Sequence, residues 1–161
     1  MQCARGVELM GQRQRISSNK PWIKKIDFIF YNEQEIRLAV LEARSSGKPL
    51  CEVPGRNGSG VSDPTARDAM YNLTPLPVIK INGQDLRLPE RWLIVIDKTY
   101  AWAKSQSDVH YEVAKRRYRG EDYRVTCREL HIANTTRRNM FETIRIYAAL
   151  QAAQMNVIYI E

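Results

Sequence analysis

The chain has 161 residues and carries 25 Lys and Arg against 18 Asp and Glu, for a formal net charge of +7. Hydrophobic residues make up 43%, enough for a modest core, but no apolar run approaches the roughly 20 residues a membrane span needs. The positive surplus fits a polyanionic partner without identifying it, and three widely spread cysteines (Cys3, Cys51, Cys127) without a Cys-x-x-Cys argue for reduced thiols in a cytoplasm.

Residues 1–20 are polar and basic without periodicity and are expected to be poorly ordered, and they lack the sustained apolar stretch of a secretory signal. Pro21 to about Phe30 reads as a short aromatic-apolar helix, and Glu33 to Arg44 as an amphipathic one with Ile36, Val40 and Leu41 inward. From Ser45 to Asp63, six glycines and prolines predict a long flexible loop. Ser62-Asp63-Pro64 then resembles a helix start, for a helix running to about Leu73. The stretch from Val78 to Leu88 places Asn82-Gly83 between apolar-rich arms, the signature of a small hairpin.

From Pro89 a long helical stretch begins, with Trp92, Leu93, Val95, Ile96, Tyr100, Trp102 and Ala103 as its apolar stripe. Ser105 to Ser107 are expected to interrupt it, and Val109, Val113, Ala114 and Tyr118 continue the pattern to a stop at Gly120. Residues 121–146 then read as two short helices joined by a tight turn. Val125, Leu130, Ile132, Met140, Phe141 and Ile144 are spaced to bury one face of each, with Cys127 as a small residue at the crossing. The last helix, from Asn134 to Gln154, would be about 30 Å long and so outlasts the turn region by several turns. Tyr147, Leu150 and Met155 on that extension are either core or an interface, with core favoured because the closing Val157-Ile158-Tyr159-Ile160 also needs burial.

That pattern meets the requirements of a helix-turn-helix, whose second helix enters the major groove while the first crosses the phosphate backbone. Nine basic residues cluster around it: Lys115, Arg116, Arg117, Arg119, Arg124, Arg128, Arg137, Arg138 and Arg145. The competing explanation is a solvated helix face, with Glu112–Arg116 and Glu142–Arg145 as ordinary intrahelical pairs. Lys115, Arg116, Arg119, Arg124 and Arg128 are the candidate phosphate contacts, and Asn134, Thr135, Thr136, Arg138 and Asn139 the candidates for the groove. The partner so implied is double-stranded DNA.

The unit from Val109 through Ile146 resembles the region-four helix-turn-helix of bacterial sigma factors. The larger pattern is similar to phage transcriptional activators grouped with RinA and ArpU. It comprises Gly-Arg-Asn-Gly-Ser-Gly-Val-Ser-Asp-Pro-Thr-Ala (55–66), Arg91-Trp92 opening a helix that runs to Tyr100-Ala101-Trp102, and Tyr118-Arg119-Gly120 before the sigma-like half. The resemblance covers residues 21–155 and implies activation of phage late genes, such as packaging and morphogenesis operons, in the cytoplasm of a bacterial host. Host RNA polymerase and a second copy of the chain are the further candidate partners. Two positions depart from the pattern. Ala133 stands where a capping serine is common, which would make Asn134 the cap and shift the frame by one. Arg137 occupies a usually apolar, inward position, so either it snorkels to phosphate or the helix is rotated.

Enzymatic readings find little support. Gly55 to Gly60 lacks a following Gly-Lys-Ser/Thr, so it is no phosphate-binding P-loop. Cys127 and His131 have helical ligand spacing, but a zinc site needs more ligands, and His110 and Cys51 lie far off in sequence. Glu33 and Glu35, like Glu121 and Asp122, read as exposed acids near helix starts. No metal, cofactor or catalytic group is therefore expected. The expected architecture is mainly α: residues 21–88 as a helical portion with flexible loop and hairpin, and 89–161 as a C-terminal sigma-like helix-turn-helix domain. The expected function is a sequence-specific transcription activator. The alternatives are a small terminase subunit recognising phage DNA for packaging and a DNA enzyme with unrecognised carboxylates.

Overall fold

A computed structural model describes residues 20–45 and 74–159. The expected N-terminal tail, the loop beyond Ser45 and the helix from Ser62 to Leu73 lie outside the described residues. Those described form helices α1 (Pro21–Tyr31), α2 (Glu33–Ser45), α3 (Pro89–Gln106), α4 (Asp108–Tyr118), α5 (Tyr123–Glu129) and α6 (Asn134–Gln154), with strands β1 (Val78–Ile81) and β2 (Gln84–Arg87) between α2 and α3. The fold is mainly helical with one small antiparallel hairpin. No helix among the described residues is long and apolar enough to cross a membrane.

Local chemistry accounts for most boundaries. Pro21 opens α1 and Pro89 opens α3, each in the first turn where a missing N–H costs nothing. Asn32 separates α1 from α2: its Nδ2 donates to the Phe28 carbonyl at 2.7 Å, and its Oδ1 accepts from Asn82 at the hairpin tip, also at 2.7 Å. Asn82 and Gly83 both have positive φ (49° and 76°), as a two-residue type I′ turn demands. The register sets Ile81 opposite Gln84 and Ile79 opposite Leu86, placing Ile79, Ile81 and Leu86 in the core. Ser107 ends α3 and caps α4, its hydroxyl accepting from the His110 amide at 3.2 Å.

Helices α4, α5 and α6 all stop in the same way. A left-handed residue follows the last turn (Gly120, His131 and Asn156), and its own amide and the one after it bond back to the helix carbonyls. For α4 these are Gly120 to Arg117 and Glu121 to Arg116; for α5, His131 to Arg128 and Ile132 to Cys127. This is the Schellman arrangement.

One hydrophobic core runs through every element except α5. It joins Ile26, Ile29 and Phe30 of α1, Ile36 of α2 and the hairpin residues to Trp92, Val95, Ile96 and Tyr100 of α3, Val113 and Tyr118 of α4, and Phe141 and Ile144 of α6. Ala148, Ala149 and Ala152 are buried and let α3 approach α6 closely. Both expected portions, 21–88 and 89–161, thus contribute to a single core. Three side chains expected inside lie outside it. Leu41 is 62% exposed, since five residues beyond Ile36 is about 140° around the helix. Leu150 is 52% exposed, while Tyr147 is half-buried, its ring stacked 4.3 Å from Trp102. Met155 and Val157 are partly buried and Ile158 is buried, but Tyr159 is 86% exposed.

Candidate nucleic-acid interface

Helix α5, the turn and the start of α6 form the expected helix-turn-helix. Asp122 caps α5, its carboxylate accepting from the Arg124 amide at 2.7 Å. The inward face of this short helix centres on Thr126, not on Val125 or Cys127, which are half-buried. The Thr126 hydroxyl donates to Glu121 at 3.2 Å, so a polar residue can sit inside without an orphaned group. On α6, Phe141 and Ile144 are buried as expected; Leu130, Ile132 and Met140 are partly buried against the core. His131, with φ 52°, makes the sharp turn where glycine is usual. Histidine is one of the few side chains enriched at positive φ, the only sequence signal for this choice.

Ala133 is the N-cap of α6 and no side chain caps that end. Asn134 does not take over the role, because its Oδ1 accepts instead from Arg137, from Nε at 3.1 Å and Nη2 at 2.9 Å. The frame is therefore the unshifted one. Arg137 lies half-buried with its guanidinium 5.4 Å from the ring centre of Tyr123. The Arg124 guanidinium lies 5.7 Å from the same ring and its Nε donates to the Tyr123 hydroxyl at 3.3 Å. One aromatic ring so gathers two cations from the starts of α5 and α6. Sequence reasoning missed this cluster, because the contact depends on the angle between the two helices.

Asn134, Thr135, Thr136, Arg138 and Asn139 are all exposed on the first turns of α6. Arg138 and Asn139 lie one turn beyond Asn134 and Thr135, so these four share a face. Among the described residues Arg138 has no carboxylate partner, nor have Arg119, Arg124 and Arg128, all of them exposed. Arg117 and Arg137 likewise have no carboxylate partner among the described residues, and these six side chains carry the positive charge around the motif that no carboxylate offsets.

Lys115, Arg116 and Arg145 are instead held by carboxylates. The Lys115 ammonium lies 3.8 Å from the ring centre of Tyr100 and 3.5 Å from Glu33, facing α2. Glu33 is accordingly buried rather than the exposed acid expected, and it also holds Arg37 at 3.1 Å. Burial, then the Glu33 charge, pushes the Tyr100 phenol far up, so it stays neutral. Arg116 reaches Glu112 at 3.3 Å, Glu121 at 3.0 Å and also Glu129. Its hydrogen bond holds the Glu129 carboxyl below the usual range. Arg145 binds Asp27 of α1 with both arms and Glu142 at 3.0 Å, while Arg117 lies 5.6 Å over the Phe141 ring. The expected intrahelical pairs Glu112–Arg116 and Glu142–Arg145 both form.

Among the described residues no group of three or more His, Cys, Asp or Glu is placed to hold a metal ion. Cys127 is a half-buried free thiol and His131 is exposed in the turn. The chain matches no protein-family model, no curated protein and no solved structure.

Proposed function

We propose that the protein is a sequence-specific DNA-binding transcription activator that lays the first turns of α6 in the major groove of duplex DNA. The observation that carries this reading is the exposed face of Asn134, Thr135, Arg138 and Asn139 at the start of a helix held by a tight turn. Arginine pairs in bidentate fashion with guanine and asparagine with adenine, so such a row discriminates among base pairs. Arg119, Arg124 and Arg128, exposed and without carboxylate partners among the described residues, reach phosphates on either side as α5 crosses the backbone. Phosphate contact sets affinity and register; the α6 row sets sequence.

Activation, phage late genes and the bacterial cytoplasm as its setting rest on the resemblance to sigma region four and to the RinA and ArpU activators. In that role the protein sits on promoter DNA beside host RNA polymerase. The test is selection of duplexes from a random pool with the full chain, followed by transcription with bacterial RNA polymerase from a promoter bearing the selected site. A recurring motif and stimulated transcription are expected. Equal affinity for every duplex overturns sequence recognition. A selected motif bound by a ring-shaped oligomer, without stimulated transcription, moves the reading to a DNA-packaging subunit.

A further inference from the structure

We propose that Arg116 is a positioning residue that sets the angle at which the helix-turn-helix meets DNA, through contacts to carboxylates rather than to phosphate. This rests on the DNA-binding reading above. Arg116 projects from α4 and joins three glutamates on three different pieces of chain: Glu112 on α4, Glu121 in the link, and Glu129 at the end of α5. Glu121 in turn accepts from the Thr126 hydroxyl in the middle of α5 at 3.2 Å. One guanidinium thus fastens α5 at its entrance, through Glu121, and at its last residue.

Helix α5 needs such a fastening. It has only seven residues, and Thr126 is its one buried side chain, so apolar packing fixes its orientation weakly. Without Arg116, three carboxylates would face one another unneutralised, and their repulsion would swing α5 away from α4. Each ion pair is partly exposed and contributes little to overall stability. The consequence is therefore felt in the angle of α5 and α6 rather than in whether the chain folds. The planar guanidinium presents its donors in a fixed fork that spans acceptors on three segments, whereas an ammonium is a compact point charge with freely rotating donors. Lysine at this position keeps the charge and loses the geometry.

The test uses the full chain with Cys3→Ser and Cys51→Ser, leaving Cys127 on α5 as the reporter thiol. Arg116→Ala and Arg116→Lys are each expected to raise the rate of Cys127 modification by Ellman's reagent about tenfold, with the thermal unfolding midpoint little changed. On a duplex selected as above, both variants are expected to lose about tenfold in affinity. On a random-sequence duplex the loss is small and the slope of affinity against salt is unchanged. Glu129→Gln is expected to lower the ratio of selected to random affinity, although it removes a negative charge. Three results overturn the proposal. These are an unchanged Cys127 rate in the Arg116 variants, restoration of full selected-site affinity by Arg116→Lys, or a Glu129→Gln variant that binds both duplexes more tightly by the same factor. A parent chain that binds no duplex overturns the DNA reading, and the DNA role of Arg116 with it. The thiol assay then still decides whether Arg116 fastens α5.

Discussion

Arg145 on α6 and Asp27 on α1, 118 residues apart, form a two-armed ion pair: Nε donates to Oδ1 at 3.0 Å and Nη2 to Oδ2. The Tyr118 hydroxyl donates to the same Asp27 Oδ1 at 3.3 Å, and the guanidinium lies 4.7 Å over the Phe141 ring. The pair therefore ties the N-terminal helix α1 to α6, the helix proposed to enter the major groove. Both side chains are mostly buried, at 12% and 21% exposure. Arg145→Met should cost about 2 kcal/mol, less than a fully buried pair because water still reaches it. Urea unfolding of Arg145→Met, Asp27→Asn and the double variant should return a favourable coupling energy; strict additivity would count against the pairing.

The shared core predicts the fate of an excised helix-turn-helix. A fragment from Pro89 to Glu161 loses Ile26, Ile29, Phe30 and Ile36, all at 2% exposure or less. Each such side chain contributes about 1.5–3 kcal/mol by burial, against a typical total stability of about 5–15 kcal/mol. The fragment should lack fixed tertiary packing, read as a lost near-ultraviolet dichroism signal. A cooperative thermal transition in the fragment would contradict this.

Gly120 and His131 occupy equivalent left-handed positions after α4 and α5, at φ 79° and 52°. A Cβ at Gly120 meets nothing within 4 Å, so only backbone strain opposes a side chain there. Gly120→Ala should destabilise by about 1 kcal/mol, and His131→Gly should be neutral or stabilise by up to about 1 kcal/mol. Chemical denaturation midpoints of the two variants should move in opposite directions or differ clearly.

Salt dependence separates the free cations from the engaged ones. Replacing Arg119, Arg124 or Arg128 with alanine should each flatten the slope of log affinity against log salt by about 0.9. Lys115→Gln should leave it unchanged, since that ammonium faces Glu33 and Tyr100. Arg138→Ala should lose about 1–3 kcal/mol on a selected site and much less on random duplex. Titrations at several salt concentrations test all five; equal slope changes everywhere would erase the distinction.

Acid should loosen the α4–α5 junction. Glu129 is held below its ordinary value of 4.5 by the Arg116 hydrogen bond. A carboxyl whose folded pKa is depressed contributes stability in full above its unfolded value, and that contribution is lost as pH falls through the folded one. The small contribution of this exposed pair should therefore fade below about pH 4.5, and Glu129→Gln should remove that part of any acid-side decline. Unfolding midpoints between pH 3 and pH 7, on the order of one-unit steps, check the sign.

The sequence determined what local chemistry controls. Pro21 and Pro89 marked helix starts, Asn82-Gly83 marked the hairpin, Gly120 marked a stop, and the spacing of Trp92, Ile96, Tyr100 and Ala103 marked a buried stripe. Each depends on backbone dihedrals or on the period of one helix, which neighbouring residues fix. The tertiary structure decided which cations are available. Among nine basic residues that look alike in sequence, Lys115, Arg116 and Arg145 are drawn to Glu33, to Glu121 and Glu129, and to Asp27. Long flexible side chains take the partner that packing brings within reach. Which helices meet is set by the whole core, from Ile26 on α1 to Ile144 on α6, and by no single stretch of sequence.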